Sequence, residues 1–263
     1  MAITLYQVDA FTSEPFKGNP AAVCLLERPA KVRWMKGVAR EMNLSETAFI
    51  FPVRDGWRLR WFTPKKEVDL CGHATLAAAK VLFERNPNLR IKPLLFKTLS
   101  GDLLARWVDG AIELDFPAMP YQRFSYGSHI EQALGFNPRD AAFSGNFFLF
   151  EAPDEATIRK NTPDIAAIEK LPMPEVIITA RSQNPEFDFI SRFFAPQLGI
   201  PEDPVTGSAH CLLAPFWAEK LGKTEFNAYQ ASARGGTLHI RLEGERVKIR
   251  GSAVIIFKGE LQI

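Results

Sequence analysis

The chain of 263 residues is 46% hydrophobic and 24% charged, and its formal net charge is +2. These values are ordinary for a globular protein and exclude the collagen-like, coiled-coil and disordered classes. Basic and acidic side chains are interspersed, and the longest basic run is Lys65-Lys66. We therefore expect no nucleic-acid partner.

The sequence carries no recognisable targeting or membrane signal. Met1–Asp9 lacks a basic start and a continuous apolar stretch, which predicts no signal peptide. Apolar runs such as Ala253–Phe257 are far shorter than the ~18 residues that span a bilayer, so no membrane partner is expected. Three widely separated cysteines, Cys24, Cys71 and Cys211, define neither a disulfide framework nor a metal knuckle. A reducing cytoplasm is the expected compartment.

In the first half, the pattern predicts a helix that ends near Met42 and an apolar strand that begins at Thr47. Residues Thr75–Phe83 are apolar nearly all round, which predicts a helix buried inside a sheet, because a surface helix would show a polar face. A hairpin follows, with strands at Gly101–Trp107 and Ile112–Phe116. The Pro-Ala-Met-Pro segment that comes next closes this half.

In the second half, Glu155–Lys170 mixes charged and apolar positions and is interrupted by Pro163, which predicts a broken helix outside the sheet. His210–Leu221 is a second alanine- and leucine-rich run, and it predicts a second buried helix. Another hairpin follows, with strands at Thr237–Leu242 and Val247–Arg250.

These two halves are an internal repeat. Arg60-Trp-Phe-Thr-Pro64 reappears as Arg192-Phe-Phe-Ala-Pro196, and Gly72-His-Ala74 reappears as Gly207-Ser-Ala209, at offsets of 132 and 135 residues. Each half therefore contains a strand, a loop and a buried helix among antiparallel hairpins. The sequence predicts an α+β protein of two pseudo-symmetric domains, residues 1–118 and 119–263. Each would be a barrel-like, mostly antiparallel sheet wrapped around a central helix.

The loops before the two buried helices are the first candidates for chemistry. Each places a glycine, Gly72 or Gly207, at a helix start, where unpaired N–H groups and a partial positive charge favour an anion. Two such ends facing each other across a domain cleft would bind a carboxylate. Alternatively, Thr206 and Ser208 only cap a structural helix. Glycine at both copies of the loop favours the binding site.

Four further side chains each have more than one possible role. His73 could cap its helix, donate a hydrogen bond to a substrate or act as a general acid. Cys71 is either a small buried hydrophobe or a thiol whose pKa the helix start lowers. Glu46, at the start of the predicted strand, either points into a cleft or is a solvated loop residue. Asp203, which precedes a proline, could equally be a turn residue.

Several kinds of chemistry are disfavoured because the sequence lacks their characteristic motifs. The sequence has no GxGxxG or GxxxxGK[ST] phosphate loop, no HExxH and no GxSxG, so we expect neither a nucleotide cofactor nor a catalytic zinc ion. The four histidines are far apart in sequence, and no metal site is predicted from them. A two-base racemase would need a thiol at the repeat position of Cys71, and that position is Thr206.

Five ordered motifs resemble the PhzF-like family of phenazine biosynthesis. They are Val8-Asp-Ala-Phe11, Gly18-Asn-Pro-Ala-Ala-Val23, Asn43-Leu-Ser-Glu-Thr47, Cys71-Gly-His-Ala-Thr75 and Glu202-Asp-Pro-Val-Thr-Gly-Ser208. Together they span nearly the whole chain and are far more specific than any one motif. The resemblance implies a diaminopimelate epimerase-like fold, an active site between two domains and often a homodimer.

The resemblance also implies roles for individual residues. In family members of known activity, the glutamate of the Ser-Glu-Thr motif is the general acid/base that isomerises trans-2,3-dihydro-3-hydroxyanthranilate. By position in this sequence, that residue is Glu46. The other implied site residues are His73 and Asp203 as catalytic groups, and Gly72, Gly207 and Ser208 as substrate-binding groups.

The sequence thus predicts a cofactor-independent isomerase that moves a proton within a small carboxylate-bearing substrate. An amino-acid racemase or epimerase of the same fold is an alternative, which Thr206 disfavours. A non-catalytic protein that binds metabolites or partner proteins is another, which the intact set of site residues disfavours. Family membership does not fix the substrate.

Overall fold

The computed structural model describes residues 3–262 and is a mixed α+β structure of two compact units. One unit runs to Phe116 and also includes the chain from Lys248 onward, and the other is Pro117–Val247. The predicted second domain extends to residue 263, whereas the structure groups the chain after Val247 with the first unit. Among the described residues, no helix is long and apolar enough to cross a membrane.

The first unit is mostly antiparallel. In chain order its elements are β1 (Ile3–Ala10), β2 (Asn19–Leu25), α1 (Val32–Met42), β3 (Glu46–Val53), β4 (Gly56–Phe62), β5 (Glu67–Val68), α2 (Gly72–Arg85), a 3-10 turn (Pro87–Ile91), β6 (Leu94–Thr98), β7 (Gly101–Val108) and β8 (Ala111–Pro117). The pairs β1–β2, β3–β4, β4–β5, β6–β7 and β7–β8 are antiparallel. The pairs β2–β3 and β4–β6 are parallel. The first predicted hairpin is therefore confirmed as β7 and β8.

The second unit is built in the same manner. Its elements are β9 (Gln122–Arg123), α3 (Ser128–Leu134), β10 (Asp140–Ser144), β11 (Phe147–Glu151), α4 (Glu155–Lys160), α5 (Ile165–Ile168), β12 (Glu175–Arg181), β13 (Phe189–Ala195), a 3-10 turn (Pro196–Leu198), β14 (Ile200–Asp203), α6 (Gly207–Leu221), β15 (Glu225–Gln230), β16 (Gly236–Glu243) and the start of β17 (Arg246–Gly251), whose residues from Lys248 onward belong to the first unit. The two helices α4 and α5 confirm the predicted interruption around Pro163.

The last strand explains why the end of the chain belongs to the first unit. Strand β18 (Ala253–Leu261) pairs antiparallel with β1, from Ile3 opposite Leu261 to Ala10 opposite Ala253. This ladder runs along the whole of β1, so its backbone hydrogen bonds hold the end of the chain to the first unit.

The predicted repeat appears in the strand pairing. Around α2, the pairs β2–β3, β3–β4 and β4–β6 are parallel, antiparallel and parallel. Around α6, the pairs β11–β12, β12–β13 and β13–β15 follow the same sequence of directions. An ion pair repeats too, because Arg60 Nε lies 2.7 Å from Glu67 and Arg192 Nε lies 2.6 Å from Glu202. The α+β class and the repeated strand, loop and helix are confirmed.

Both repeated helices are buried, as the sequence predicts. In α2, every residue of Gly72–Ala79 and of Val81–Phe83 is buried. Helix α6 is buried despite Pro215 in its interior, where proline cannot donate to the carbonyl of Cys211. The N–H of Met119 donates to that carbonyl instead, at 2.9 Å. A partner from outside the helix thus satisfies the group that proline leaves unpaired.

Candidate functional site

The starts of β2 and β3 bring two polar side chains to one edge of the first unit's sheet. These strands are parallel, with Ala21 opposite Glu46, so their N-terminal ends lie side by side. Asn19 is the first residue of β2 and Glu46 is the first residue of β3. Gly18 precedes Asn19 at φ +64°, and a Cβ there would lie 2.1 Å from the carbonyl oxygen of Ala10. Only glycine fits this turn.

The approach to Glu46 is set by the end of α1. Asn43 is the C-cap of α1 in the left-handed conformation, with φ 50°, and its N–H donates to the carbonyl of Ala39. Asparagine is one of the few residues that adopts this conformation readily. Part of the Asn43-Leu-Ser-Glu motif is therefore a helix terminator, and the chain enters β3 at Glu46 itself, one residue before the predicted start.

Helix α2 starts beside these strand ends. Its N-cap is Cys71, with an extended backbone and no side-chain capping bond, so Gly72 and His73 form the first turn. The N-cap of α6 is Thr206, again without a side-chain cap. The predicted equivalence of Cys71 and Thr206 is thus confirmed, and His73 is not the cap of its helix. Helix starts of this kind leave backbone N–H groups available to a ligand.

The structure brings Glu46 and His73 together. Nε2 of His73 lies 3.3 Å from Oε2 of Glu46, but it is misaligned for a hydrogen bond. On the other side of the ring, Nδ1 lies 3.2 Å from Nδ2 of Asn19 and 3.6 Å from Sγ of Cys71. All four residues are buried, with exposed fractions of 8% for Glu46, 4% for His73, 7% for Cys71 and 0% for Asn19. Glu46 is therefore not a solvated loop residue.

Burial decides the charge of the imidazole. It lowers the pKa of His73 from 6.5 to about 3, because water no longer stabilises the imidazolium. Near neutral pH His73 is therefore a neutral donor and acceptor beside the carboxylate rather than the cation of an ion pair. A carboxylate and a neutral imidazole in contact form a pair that can exchange a proton with a substrate.

The same cluster offers metal-ligand atoms. One ligand atom each from Glu46, Cys71 and His73 lie within 4.8 Å of one another. Carboxylate, thiolate and imidazole are ligands that zinc and related metals accept. These residues are thus where the first unit could hold an ion. That the protein works without one stays a prediction.

The remaining predicted site residues belong to the second unit. Asp203 ends β14, is 5% exposed and accepts a hydrogen bond from the hydroxyl of Thr206. Gln230, which is 0% exposed, donates to the carbonyl of Asp203 at 2.8 Å and accepts from the N–H of Thr206 at 2.8 Å. Gly207 and Ser208 begin α6, and Ser208 is half-buried. Asp203 is therefore part of a buried network rather than a solvated turn.

Sequence reasoning assigned no role to Asn19 or Gln230. Gln230 is a polar residue at a buried strand position, and no local pattern indicates its partners because they lie more than 20 residues away. Asn19 stood within a recognised motif, but its contact with His73 joins residues 54 apart. Only the parallel pairing of β2 with β3 shows that Asn19 belongs beside Glu46.

Comparison with known proteins agrees with the motifs. The family profile described as "Phenazine biosynthesis-like protein" matches residues 8–259. The chain belongs to this family. An uncharacterized isomerase of Halalkalibacterium halodurans is 48% identical to this phenazine biosynthesis-like chain over 262 residues, covering 99% of each. A crystal structure of a PhzF family protein from Enterococcus faecalis has a TM-score of 0.95 at 43% identity and covers 100% of both chains.

A more distant structure agrees with the fold. A hydroxyproline epimerase from Agrobacterium vitis has a TM-score of 0.64 at 13% identity and covers 99% of this chain and 92% of its own. This likeness is one of fold alone and is consistent with the diaminopimelate epimerase-like architecture. Names of isomerases among the similar proteins support an isomerase-type function for this member of the phenazine biosynthesis-like family.

Proposed function

We propose that this protein is a cofactor-independent isomerase that moves a proton within a small carboxylate-bearing substrate, with a double-bond shift, using Glu46 as the general acid/base. The observation that carries the proposal is the buried contact of Glu46 with neutral His73, at 3.3 Å, at the start of a buried helix. A buried carboxylate beside a polarisable imidazole is the type of group that enzymes use to remove and return a proton.

The proposed roles follow from the chemistry of each group. Glu46 removes a proton from one carbon and returns it to another on the same face of the substrate. His73 donates a hydrogen bond to the substrate or assists the transfer. The N–H groups at the start of α2, beginning with Gly72, bind the substrate carboxylate, since a helix start favours an anion. Roles for Asp203, Gly207 and Ser208 in the second unit, and a homodimeric assembly in the cytoplasm, are part of the same proposal.

A racemase or epimerase is the alternative that the fold allows. Two-base enzymes place one acid/base group on each face of the carbon that they invert, and a paired-thiol enzyme needs two cysteines. Here the two equivalent N-cap positions are Cys71 and Thr206, and only one of them is a thiol. A hydroxyl with an ordinary pKa is a poor base near neutral pH, so we favour the single-base isomerase.

The experiment is solvent isotope uptake. The protein is incubated in deuterated water with trans-2,3-dihydro-3-hydroxyanthranilate, and separately with proline and hydroxyproline, and the products are analysed by mass spectrometry and NMR. An isomerised product in the first reaction, with deuterium at no more than the carbon that receives the proton, supports the proposal. Deuterium at an inverted α-carbon would instead establish the racemase. No uptake with any of these compounds, by protein shown to be folded, would contradict this choice of substrates.

A further inference from the structure

The contact between Asn19 and His73 determines which ring nitrogen carries the proton. Nδ2 of Asn19 lies 3.2 Å from Nδ1 of His73, and both side chains are buried. An amide nitrogen can only donate, so Nδ1 must accept. A neutral imidazole that accepts at Nδ1 has its proton on Nε2, which is the nitrogen 3.3 Å from the Glu46 carboxylate.

The opposite arrangement is disfavoured by the same network. If the amide were reversed, its oxygen would face Nδ1, which would then have to carry the proton. With Glu46 ionised, Nε2 would become an acceptor facing another acceptor, the carboxylate oxygen of Glu46 at 3.3 Å, and the two would repel each other. Since the orientation of an amide is decided by its hydrogen-bond network, the orientation with Nδ2 toward the ring is the consistent one.

We propose that Asn19 is a positioning residue that holds His73 in the tautomer with its proton on Nε2, beside Glu46. This inference rests on the proposed function for its consequence. Nε2 makes no hydrogen bond with any residue in the described range 3–262, so its proton is available to a substrate atom that approaches the imidazole beside the carboxylate. Asn19 itself need not touch the substrate.

Cys71 is a competing explanation that can be separated. Its Sγ lies 3.6 Å from the same Nδ1. A neutral thiol would donate to Nδ1 and favour the same tautomer, whereas a thiolate would accept from a protonated Nδ1 and favour the other one. If Asn19 holds the tautomer, then Cys71→Ala leaves it unchanged.

The test is long-range proton–nitrogen NMR of the imidazoles in ¹⁵N-labelled protein, with His73 assigned by the signal lost in His73→Gln. We expect a protonated Nε2 and an unprotonated, hydrogen-bonded Nδ1 in the wild-type protein near neutral pH. In Asn19→Leu, the ¹⁵N chemical shift of His73 Nδ1 should change to the value of an unprotonated imidazole nitrogen that accepts no hydrogen bond. In Asn19→Asp, the proton should move to Nδ1 as the introduced carboxylate ionises, since an ionised carboxylate only accepts.

Matched controls make the outcome decisive. Asn146 stands in the second unit after Gly145, as Asn19 stands after Gly18, but Asn146 is exposed, so Asn146→Asp should leave the His73 signals unchanged. A protonated Nδ1 in the wild-type protein, an Nδ1 shift unaltered in Asn19→Leu, or a change of tautomer in Cys71→Ala would each overturn the proposal. The wild-type and Cys71→Ala spectra can each still overturn the proposal even if the Asn19 variants do not fold.

These spectra require no turnover, so they are independent of whether the isomerase proposal is correct. If both proposals hold, Asn19→Leu should also lower kcat by about tenfold or more with a small change in KM, because the lost effect is on the orientation of His73 in the transition state. A normal NMR result with no isomerase activity would leave Asn19 as the positioning residue and refute the proposed function alone.

Discussion

Mild acid should destabilise this protein through two buried histidines, one in each unit. His73 and His210 are 4% and 0% exposed, and burial lowers their pKa values from 6.5 to about 3 and about 4. At His210 a hydrogen bond to the carbonyl of Thr206 opposes that shift. Both imidazoles therefore stay neutral in the folded state well below the pH at which they become protonated in the unfolded chain.

The sign and the size follow from proton linkage. Between about pH 6.5 and about pH 4 the unfolded state binds more protons than the folded state, so the free energy of unfolding falls as the pH falls. From about pH 7.5 to about pH 5, each histidine should lower it by about 2 kcal/mol, and the two together by about 4 kcal/mol. The stability that depends on these neutral imidazoles is complete above about pH 6.5.

The assay is urea unfolding at several pH values within that range. His73→Gln and His210→Gln should each remove about half of the pH dependence, whatever they do to the absolute stability. The exposed His129 provides the matched control, since His129→Gln should leave the pH dependence of the free energy of unfolding unchanged. If the two units unfold in separate transitions, each substitution should remove the pH dependence only from the transition of the unit that contains the substituted histidine. A wild-type free energy that is flat over this range, or a slope that survives both substitutions, would refute the reasoning.

Two further predictions concern the scaffold. Arg192→Met should lower the free energy of unfolding by about 3–5 kcal/mol. The loss in Arg60→Met should be smaller than the loss in Arg192→Met by about 1–2 kcal/mol, because Arg192 also donates to two backbone carbonyls at 3.2 and 2.7 Å. Equal losses in chemical unfolding would contradict this. Gly18→Ala should lower the free energy of unfolding by about 2 kcal/mol or more, because Gly18 has a positive φ and an added Cβ would clash with the carbonyl oxygen of Ala10. Gly37→Ala, at an open helical position, should instead raise stability by about 0.5–1 kcal/mol, and equal effects of the two substitutions would show that the backbone argument is wrong.

Much of the fold could be predicted from the sequence because its strongest signals are physical constraints that repeat. A segment that is apolar all round, such as Thr75–Phe83, has to be enclosed by other elements, and the same requirement appears again at His210–Leu221. Both helices are buried. Pro215 shows the limit of prediction from local sequence, since proline disfavours a helix interior and yet lies within α6. Its cost is offset by the N–H of Met119, a partner far away in sequence.

The candidate site was predictable only in part. The motifs indicated Glu46 and His73, and the structure places them in contact. The motifs also mix structural and chemical residues, because Asn43 ends α1 and Gly18 makes a turn that no side chain fits. The end of the chain could not be assigned to the first unit from the sequence, since the pairing of β18 with β1 joins the two ends of the chain.

The most direct test of the central claim is the Glu46→Gln variant, assayed for proton transfer in deuterated water with the substrate identified by isotope uptake. Glutamine keeps the size and most of the hydrogen bonds of glutamate but cannot exchange a proton, so binding should stay within about tenfold while turnover falls by about 10²–10⁴-fold. Glu155 is a similarly buried carboxylate, 6% exposed, which binds Arg159 and Ser182 in the second unit. Glu155→Gln should lower stability and leave turnover unchanged, when both variants are assayed well below their melting temperatures. Turnover by Glu46→Gln at a near wild-type rate would contradict the assignment of Glu46 as the acid/base.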